Sequence, residues 1–372
     1  MSEADFLVQD EIMADFALVL FDDGIKAASP DGNSHSFIKR LSGCFSGLLY
    51  RVGLYKSRLG SKIYYFFKKE VFRNGINKVE LFGSIGVWLI RLPFPAAGLG
   101  RFNPYFIGRY LDKVCSERGI GDCHMPAFIC EKTGFDRFSS VLPVGRMSFK
   151  SLLPLILEKI FTNSGLNIAD LDIVIVPGED NNELYTVVKI LEPGIRYVTI
   201  ASKDKEAFEK GLSGISEESG LSIGVSGDCK SMFKCADLII NLGNGVLISK
   251  CRICPKSVII NFNEPCRLKI QGDNTVINGV EYELPSGIRE ALGYDVSKLY
   301  SRKEAADLII AHKLGIRKEC RFNSEVGSLI RNEFGRCGCK ITGFTGLRGA
   351  VKMGDLPGSV KRQGLNGNRQ IK

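Results

Sequence analysis

From Leu171 onward, short runs of consecutive apolar residues alternate with segments that are apolar on one face only. "DIVIVPG", "IRYVTIAS", "LSIGVSG", "ADLIINLG" and "KSVIINFN" each hold three to five large or β-branched apolar positions in a row. Such runs predict strands buried on both faces of a parallel sheet, and the segments between them predict the covering helices. "NNELYTVVKIL" and "DKEAFEKGLSGISEES" carry apolar residues at helical spacing, and "CKSMFKC" predicts a shorter helical turn. Residues 166–285 therefore read as a Rossmann-type domain.

The flanking patterns are less regular. "MSFKSLLPLILEKIFTNSGLN" predicts a helix closed by Gly165, with Pro154 either kinking it or marking a first turn. Three further helical segments, "PSGIREALG", "SRKEAADLIIAHKLG" and "NSEVGSLIRNEFG", are expected to pack back onto the sheet and the first domain. In the first 146 residues, "FALVLFDDGIKAAS" suggests two short strands around an Asp-Gly turn, and "KVELFGSIGVWLIRLPF" a hairpin or a strand and a loop. The expected fold class is α/β, with a Rossmann-type parallel-sheet domain over 147–345 preceded by a smaller α+β domain over 1–146. Residues 346–372, rich in glycine and basic groups, are expected to be a disordered tail.

Composition adds class and compartment. The 372 residues are 44% hydrophobic and 24% charged, ordinary for a soluble globular chain. The acidic start lacks a basic and apolar leader, and the most apolar stretch is cut by Arg91, Pro93 and Pro95. Neither a signal peptide nor a membrane span is expected, and twelve cysteines then suggest reduced thiols in a cytoplasm. The net charge of +9 is uneven: residues 51–150 carry 17 basic and 7 acidic groups, net +10, whereas 151–300 carry 15 and 20, net −5. Within the basic block, residues 55–73 place Arg58, Lys62, Lys69 and Arg73 on one helical face. Leu59, Ile63, Phe66, Phe67 and Val71 fall on another. The bland reading is a packed helix with a solvated face; the sharper one is peripheral contact with an anionic surface.

Candidate chemistry concentrates at the strand ends. A dinucleotide loop uses glycines so that backbone N–H groups at a helix N-terminus approach the pyrophosphate. Here the first strand ends in "PGEDNNEL", with Gly178 alone and then Glu179 and Asp180. Asn181 and Asn182 are candidates to cap the helix and bind the cofactor. At the second strand end, Asp204 stands where a ribose is read, and Ser202 and Lys203 would suit a 2′-phosphate; Asp204 as a plain helix cap is the alternative. Asn241, Gly243 and Asn244 in "NLGNGV" form the most glycine-rich loop of the domain. NAD or NADP is the cofactor these positions suggest, beside the alternative of plain turns. Cys251 and Cys254 in "CRIC", with Cys337 and Cys339 in "CGC", raise a four-thiolate zinc site as a minor alternative, and no metal is expected. His124 beside Cys123 reads as structural, because adjacent side chains diverge.

The order of segments from about 140 to 345 resembles the acyl-carrier-protein reductase and predicted amino-acid dehydrogenase branch of the shikimate-dehydrogenase-like Rossmann proteins. The resembling pieces are "VLPVGRMSFKSLLPLILEKIFTNSGLNI", the strand–helix run, "ADLIINLGNGV", "VINGVEYELPSGIREALG", "SRKEAADLIIAHKLG" and "EVGSLIRNEFGRCGCKITGF". The resemblance implies NAD(P)H and reduction of an acyl thioester or related carbonyl through a cysteine thioester. The family's glycine-rich turn is "PGEDNNEL" here, and its catalytic cysteine, expected just after "INGVEYE", is absent. Cys266 in "NEPCRL" is the substitute candidate nucleophile. The alternative is a Rossmann-like scaffold that has lost its cofactor and acts by binding a membrane surface, a nucleic acid or a protein partner.

Overall fold

A computed structural model describes residues 15–21, 75–94, 96–101, 104–133, 135, 138, 144–161, 166–204, 206–263, 270, 274–317, 320–352 and 356. The basic segment 55–73 and Cys266 lie outside them. The chain divides into two compact units, Met1–Leu142 with Leu284–Arg317, and Pro143–Glu283 with Lys318–Lys372.

The first unit is built on a four-stranded sheet in the order β2-β3-β1-β4. Its heart is β1 (Phe16–Phe21), six consecutive buried residues paired in parallel with β3 (Ile85–Leu92) and with β4 (Asp122–His124). Burial on both faces explains the unbroken apolar run. β1 is thus a central strand and not the arm of a local hairpin; the remainder of that expected pair, after Phe21, lies outside the described residues. β2 (Ile76–Leu81) and β3 do form the hairpin expected of "KVELFGSIGVWLIRLPF". Its turn holds Phe82 and Gly83 at φ of 54° and 69°, the positive pair of a type I′ connection. Asp15, just ahead of β1, accepts from Gly86 N and Trp88 Nε1, both at 3.0 Å, and pairs with Lys78 at 2.8 Å. A Cβ at Gly86 would fall onto that carboxylate, so glycine is what permits the approach.

Helices α1 (Pro104–Arg118) and α2 (Ala127–Thr133) follow the hairpin, and α9 (Ser286–Leu292), α10 (Tyr294–Leu299) and α11 (Arg302–Lys313) return to this unit from far along the chain. Ser301 and Glu304 close a capping box on α11. The second oxygen of Glu304 accepts from Ala127 N at 2.8 Å, so one carboxylate serves the N-termini of two helices. The buried Tyr300 hydroxyl lies 3.0 Å from Val19 O and 2.8 Å from His124 O, tying two neighbouring strands. His312 stacks on Phe16 with ring centroids 4.1 Å apart, and its Nε2 meets His124 Nε2 at 2.8 Å. In that contact one Nε2 donates and the other accepts, according to the tautomers of the two rings. His124 is buried in this contact.

The second unit carries six strands: β5 (Ile173–Val176), β6 (Tyr197–Ala201), β7 (Ser222–Ser226), β8 (Leu238–Asn241), β9 (Val258–Asn261) and β10 (Thr275–Ile277). They pair in parallel in the order β10-β9-β8-β5-β6-β7, the sixth, fifth, fourth, first, second and third along the chain. This is the doubly wound dinucleotide-fold order, and the fold is α/β as expected. β10 was missed in the sequence because three residues are too short a run to register. The long helix expected from Met147 is two: α3 (Val144–Ser151) and α4 (Leu153–Phe161), with Pro154 in the first turn of the second. α5 (Asn181–Leu191) and α6 (Glu206–Ser219) pack against each other, and α5 also contacts α4 and α12 (Ser324–Arg336). α7 (Cys229–Cys235) and the single turn α8 (Val246–Ser249) seal a core of Val174, Val176, Ile239, Ile259 and Val276 through Phe233 and Ile248. A small antiparallel sheet joins β11 (Gly279–Glu283), β12 (Lys340–Gly346) and β13 (Gly349–Val351). β13 lies within the stretch 346–372 expected to be a disordered tail, most of which is outside the described residues.

The helices over 286–313 belong to the first unit, whereas the sequence grouped them with the Rossmann segment over 147–345. Among the described residues no helix is long and apolar enough to cross a membrane.

The histidine pair gives the first unit an acid sensitivity. Burial, with the neighbouring His124 ring, lowers the His312 pKa to about 3. The folded chain then binds this proton more weakly than the unfolded chain, so stability falls as pH drops below about 6.5 and levels off only near the folded value. From pH 8 to pH 5 the expected loss is about 2 kcal/mol. Urea unfolding followed by the fluorescence of Trp88, the chain's one tryptophan, reports on this unit. His312→Phe keeps an aromatic stack and should flatten most of the slope; equal wild-type stability at both pH values would refute the assignment.

Candidate functional site

In a parallel sheet of this order, ligands bind outside the carboxyl ends of the strands, where the direction of winding reverses. That point lies between β5 and β8. Val176 and Asn241 end these strands in register, and Leu242 N donates to Val176 O at 2.9 Å. Beyond them the two loops touch backbone to backbone. A Cβ at Gly178 would stand 2.7 Å from Leu242 O, and one at Gly243 would stand 2.6 Å from Pro177 O. Neither glycine adopts a positive φ, so the requirement is steric and not conformational. The two glycines read from the sequence as cofactor-binding positions are thus brought together, and each holds the other loop close.

The helix that follows β5 is already capped. Asp180 precedes α5 in extended conformation, and its carboxylate accepts from Asn182 N at 2.9 Å. Asn181 and Asn182, expected as caps, are instead the first two helical residues. Exposed Glu179 stands beside the cap, and Glu183 follows in the first turn. The Lys150 ammonium reaches that turn from α3 but is ion-paired with Glu183 and lies over the Phe322 ring.

The same device recurs along the edge. Asp204 accepts from Ala207 N at 3.1 Å, and the Ser202 hydroxyl accepts from Asp204 N at 3.1 Å. Asp228 caps α7 through Ser231 N, and this hydrogen bonding holds its carboxyl below the usual range. Asn244 accepts from Val246 N at 3.0 Å at the start of α8. Lys203 is exposed, its stem close to Gly227. At Asp180, Asp204 and Asp228 a side-chain oxygen lies where an incoming anion would otherwise find a free N–H group, and Asn244 does the same from one residue ahead of the Gly245 cap of α8.

An asparagine ladder, missed in the sequence, closes the other half of the edge. Asn241 Nδ2 donates to Asn261 Oδ1 at 2.8 Å and to Gly243 O at 3.1 Å. Asn261 Nδ2 donates in turn to Asn278 Oδ1 at 2.9 Å and to Asn263 O at 3.1 Å. Asn263 adds a bond of 2.6 Å to Gly243 O. The two main-chain carbonyls can only accept, so they set the direction of every amide. The ends of the ladder, Asn241 Oδ1 and Asn278 Nδ2, are buried and have no partner among the described residues. The legible signal was a repeat at three strand ends: Ile239-Ile240-Asn241, Ile259-Ile260-Asn261 and Val276-Ile277-Asn278.

The cysteine expectations resolve differently. Cys251 is buried in the α7–α8 core, and buried Cys337 contacts Glu333 Oε1 at 3.4 Å. Among the described residues no three His, Cys, Asp or Glu side chains gather as a metal site, so the two cysteine pairs do not converge. Cys266 lies outside the described residues.

No protein-family model matches the sequence, and no curated protein matches it. Solved structures align over most of the chain at low similarity. Ornithine transcarbamoylase from Giardia lamblia covers 86% of this chain and 90% of its own at 12% identity and a TM-score of 0.28. The 5-ketofructose reductase of Gluconobacter sp. strain CHM43 covers 86% and 99% at 10% identity and 0.27. L-tryptophan dehydrogenase from Nostoc punctiforme covers 88% and 91% at 12% identity and 0.25. At such scores these alignments carry no argument, and the fold rests on the strand order itself.

The glycine contacts make a direct prediction. Gly178→Ala or Gly243→Ala should each destabilise the chain by about 2 kcal/mol, because the opposed atoms are backbone and cannot swing aside. Gly194→Ala, with no atom within 4 Å of the added carbon, should cost little by comparison. Chemical denaturation of the three variants checks this, and a neutral Gly178→Ala would show that the loops part freely.

Proposed function

We propose that this chain is a Rossmann-fold scaffold that has given up its dinucleotide and works by binding a partner, not by hydride transfer. The observation that carries the reading is the Asp180 carboxylate on Asn182 N, at the α5 N-terminus where the pyrophosphate of a dinucleotide would lie. The turn "PGEDNNEL" supplies two carboxylates there, and the nearby Lys150 is already paired with Glu183. A like-charge contact at ~4 Å opposes binding by roughly 4 kcal/mol at an effective dielectric of ~20, before solvent screening reduces it. The residues of this turn do not fit a bound pyrophosphate.

The rival reading is an NAD(P)-dependent oxidoreductase acting on an acyl thioester or related carbonyl, with the cofactor across Gly178, Asp204 and Gly243 and Cys266 as nucleophile. Its support is the strand order and the glycine loop after β8. Titration with NADH and NADPH, followed by cofactor fluorescence, separates the two. The scaffold reading expects dissociation constants of about millimolar or weaker, tightened roughly tenfold by the Glu179→Ser, Asp180→Gly double substitution. Low-micromolar binding by the wild type would reverse the assignment.

For the partner, the basic segment 55–73 favours an anionic surface, where each Lys or Arg contributes about 1 kcal/mol before screening. Co-sedimentation with phosphatidylserine vesicles should occur at low salt and be lost at high salt. It should also be lost when Arg58, Lys62, Lys69 and Arg73 become Gln. Absence of sedimentation at low salt removes the membrane from the proposal.

A further inference from the structure

The six-stranded sheet has two outer strands, and among the described residues only one of them is left open. β10, at one edge, has three residues and packs against β12 and β13. β7 (Ser222–Ser226), at the other, has no charged residue, proline or bulge to keep a further strand away. Ser222 N donates to Arg196 O at 3.1 Å, and Ser226 O accepts from Ser202 N at 3.0 Å. Ser222, Gly224 and Ser226 therefore turn their main-chain groups toward β6. The alternation of a parallel ladder leaves those of Ile223 and Val225 directed outward. The phenol of Tyr197 lies across the same edge. It is 44% exposed, and a Cβ at Gly224 would stand 2.9 Å from its oxygen.

We propose that β7 is a self-association edge, pairing antiparallel with β7 of a second copy of this chain about a two-fold axis at Gly224. The strand reads almost alike in both directions, Ser-Ile-Gly-Val-Ser, so like residues meet in an isologous contact. Centred on Gly224, the pairing sets Ile223 of one copy opposite Val225 of the other. Their outward N–H and C=O groups then bond to each other, and the same exchange repeats across the axis. The two Gly224 residues face one another as a non-hydrogen-bonded pair, the closer of the two antiparallel spacings. With no side chain at that position, both Tyr197 phenols find room on one face, and the sheets of the two copies become continuous.

Charge at the two ends of β7 favours a second copy in this direction. Exposed Glu217 and Glu218 stand at the end of α6, just ahead of the strand. Exposed Lys203 and Lys230 stand beyond its other end, where a Cβ at Gly227 would lie 3.2 Å from Lys203 Cγ. Arg196 at the acidic end is paired with Asp170 at 3.5 Å, and Asp204 and Asp228 at the basic end are engaged as helix caps. Antiparallel pairing brings the acidic end of each copy to the basic end of the other, whereas parallel pairing would set like charges together.

Sedimentation velocity of the full chain, from nanomolar to high-micromolar concentration, reads the association. The wild type should pass from monomer to dimer in the micromolar range. Val225→Pro should raise the dissociation constant by about tenfold or more, because it removes an outward N–H that the β6–β7 ladder does not use. Glu217→Lys with Glu218→Lys should also weaken the dimer by about tenfold, and adding Lys203→Glu with Lys230→Glu should restore it. A circular-dichroism spectrum matching wild type shows that each variant is folded; if Val225→Pro is not, the charge-reversed and charge-exchanged variants decide alone. A wild type that stays monomeric at every concentration overturns the proposal. So does a dimer that folded Val225→Pro leaves unchanged, since it lies elsewhere on the chain. A dimer that the charge exchange fails to restore has another register and overturns it equally.

Discussion

The carboxyl edge of the six-stranded sheet is organised by the close approach of two loops where β5 and β8 separate. Gly178 and Gly243 each lie against a carbonyl oxygen of the opposite loop, and no larger side chain fits at either position without moving backbone. This contact holds Val176 and Asn241 side by side at the ends of their strands. It thereby fixes where α5 and α8 begin and which side chains face the switch point. Asn241, held by this register, starts the ladder that runs through Asn261 to Asn278 across the ends of three adjacent strands.

On that edge, electrostatics separates the fold from the chemistry usually built on it. Helix N-termini are attractive to anions because their first N–H groups lack intrahelical partners. In this chain Asp180, Asp204, Asp228 and Asn244 supply those partners from within. The caps stabilise the helices and at the same time occupy the places where phosphate oxygens would be held. A strand order associated with dinucleotide binding is thus combined with local chemistry opposed to it, and the local chemistry decides the binding expectation.

The first unit obeys a different constraint. Its central strand is apolar throughout, yet the polar groups packed on it, Tyr300, His124 and His312, satisfy backbone carbonyls and each other. Burying such groups is tolerable only while each pairing persists, which is why the histidine pair carries a pH dependence.

Much of this architecture was legible in local pattern. Runs such as Ile173–Val176 and Leu238–Asn241 announced strands buried on both faces, and the strand–helix alternation announced a parallel sheet. The acids in "PGEDNNEL" already argued against a phosphate at the first turn. What the sequence by itself determined was which segments are buried, with what period, and which residue types stand at their ends. Partnership across strands was left to the tertiary structure, because an apolar run specifies burial and not a neighbour. Only the assembled sheet placed Asp180, and not Asn181 or Asn182, as the α5 cap. Only there did the three-residue strand β10 find its partner, and Asn261 and Asn278 their line with Asn241. Likewise, the return of residues 284–317 to the first unit put His312 against His124, because contacts between residues 188 positions apart leave no trace in a local period.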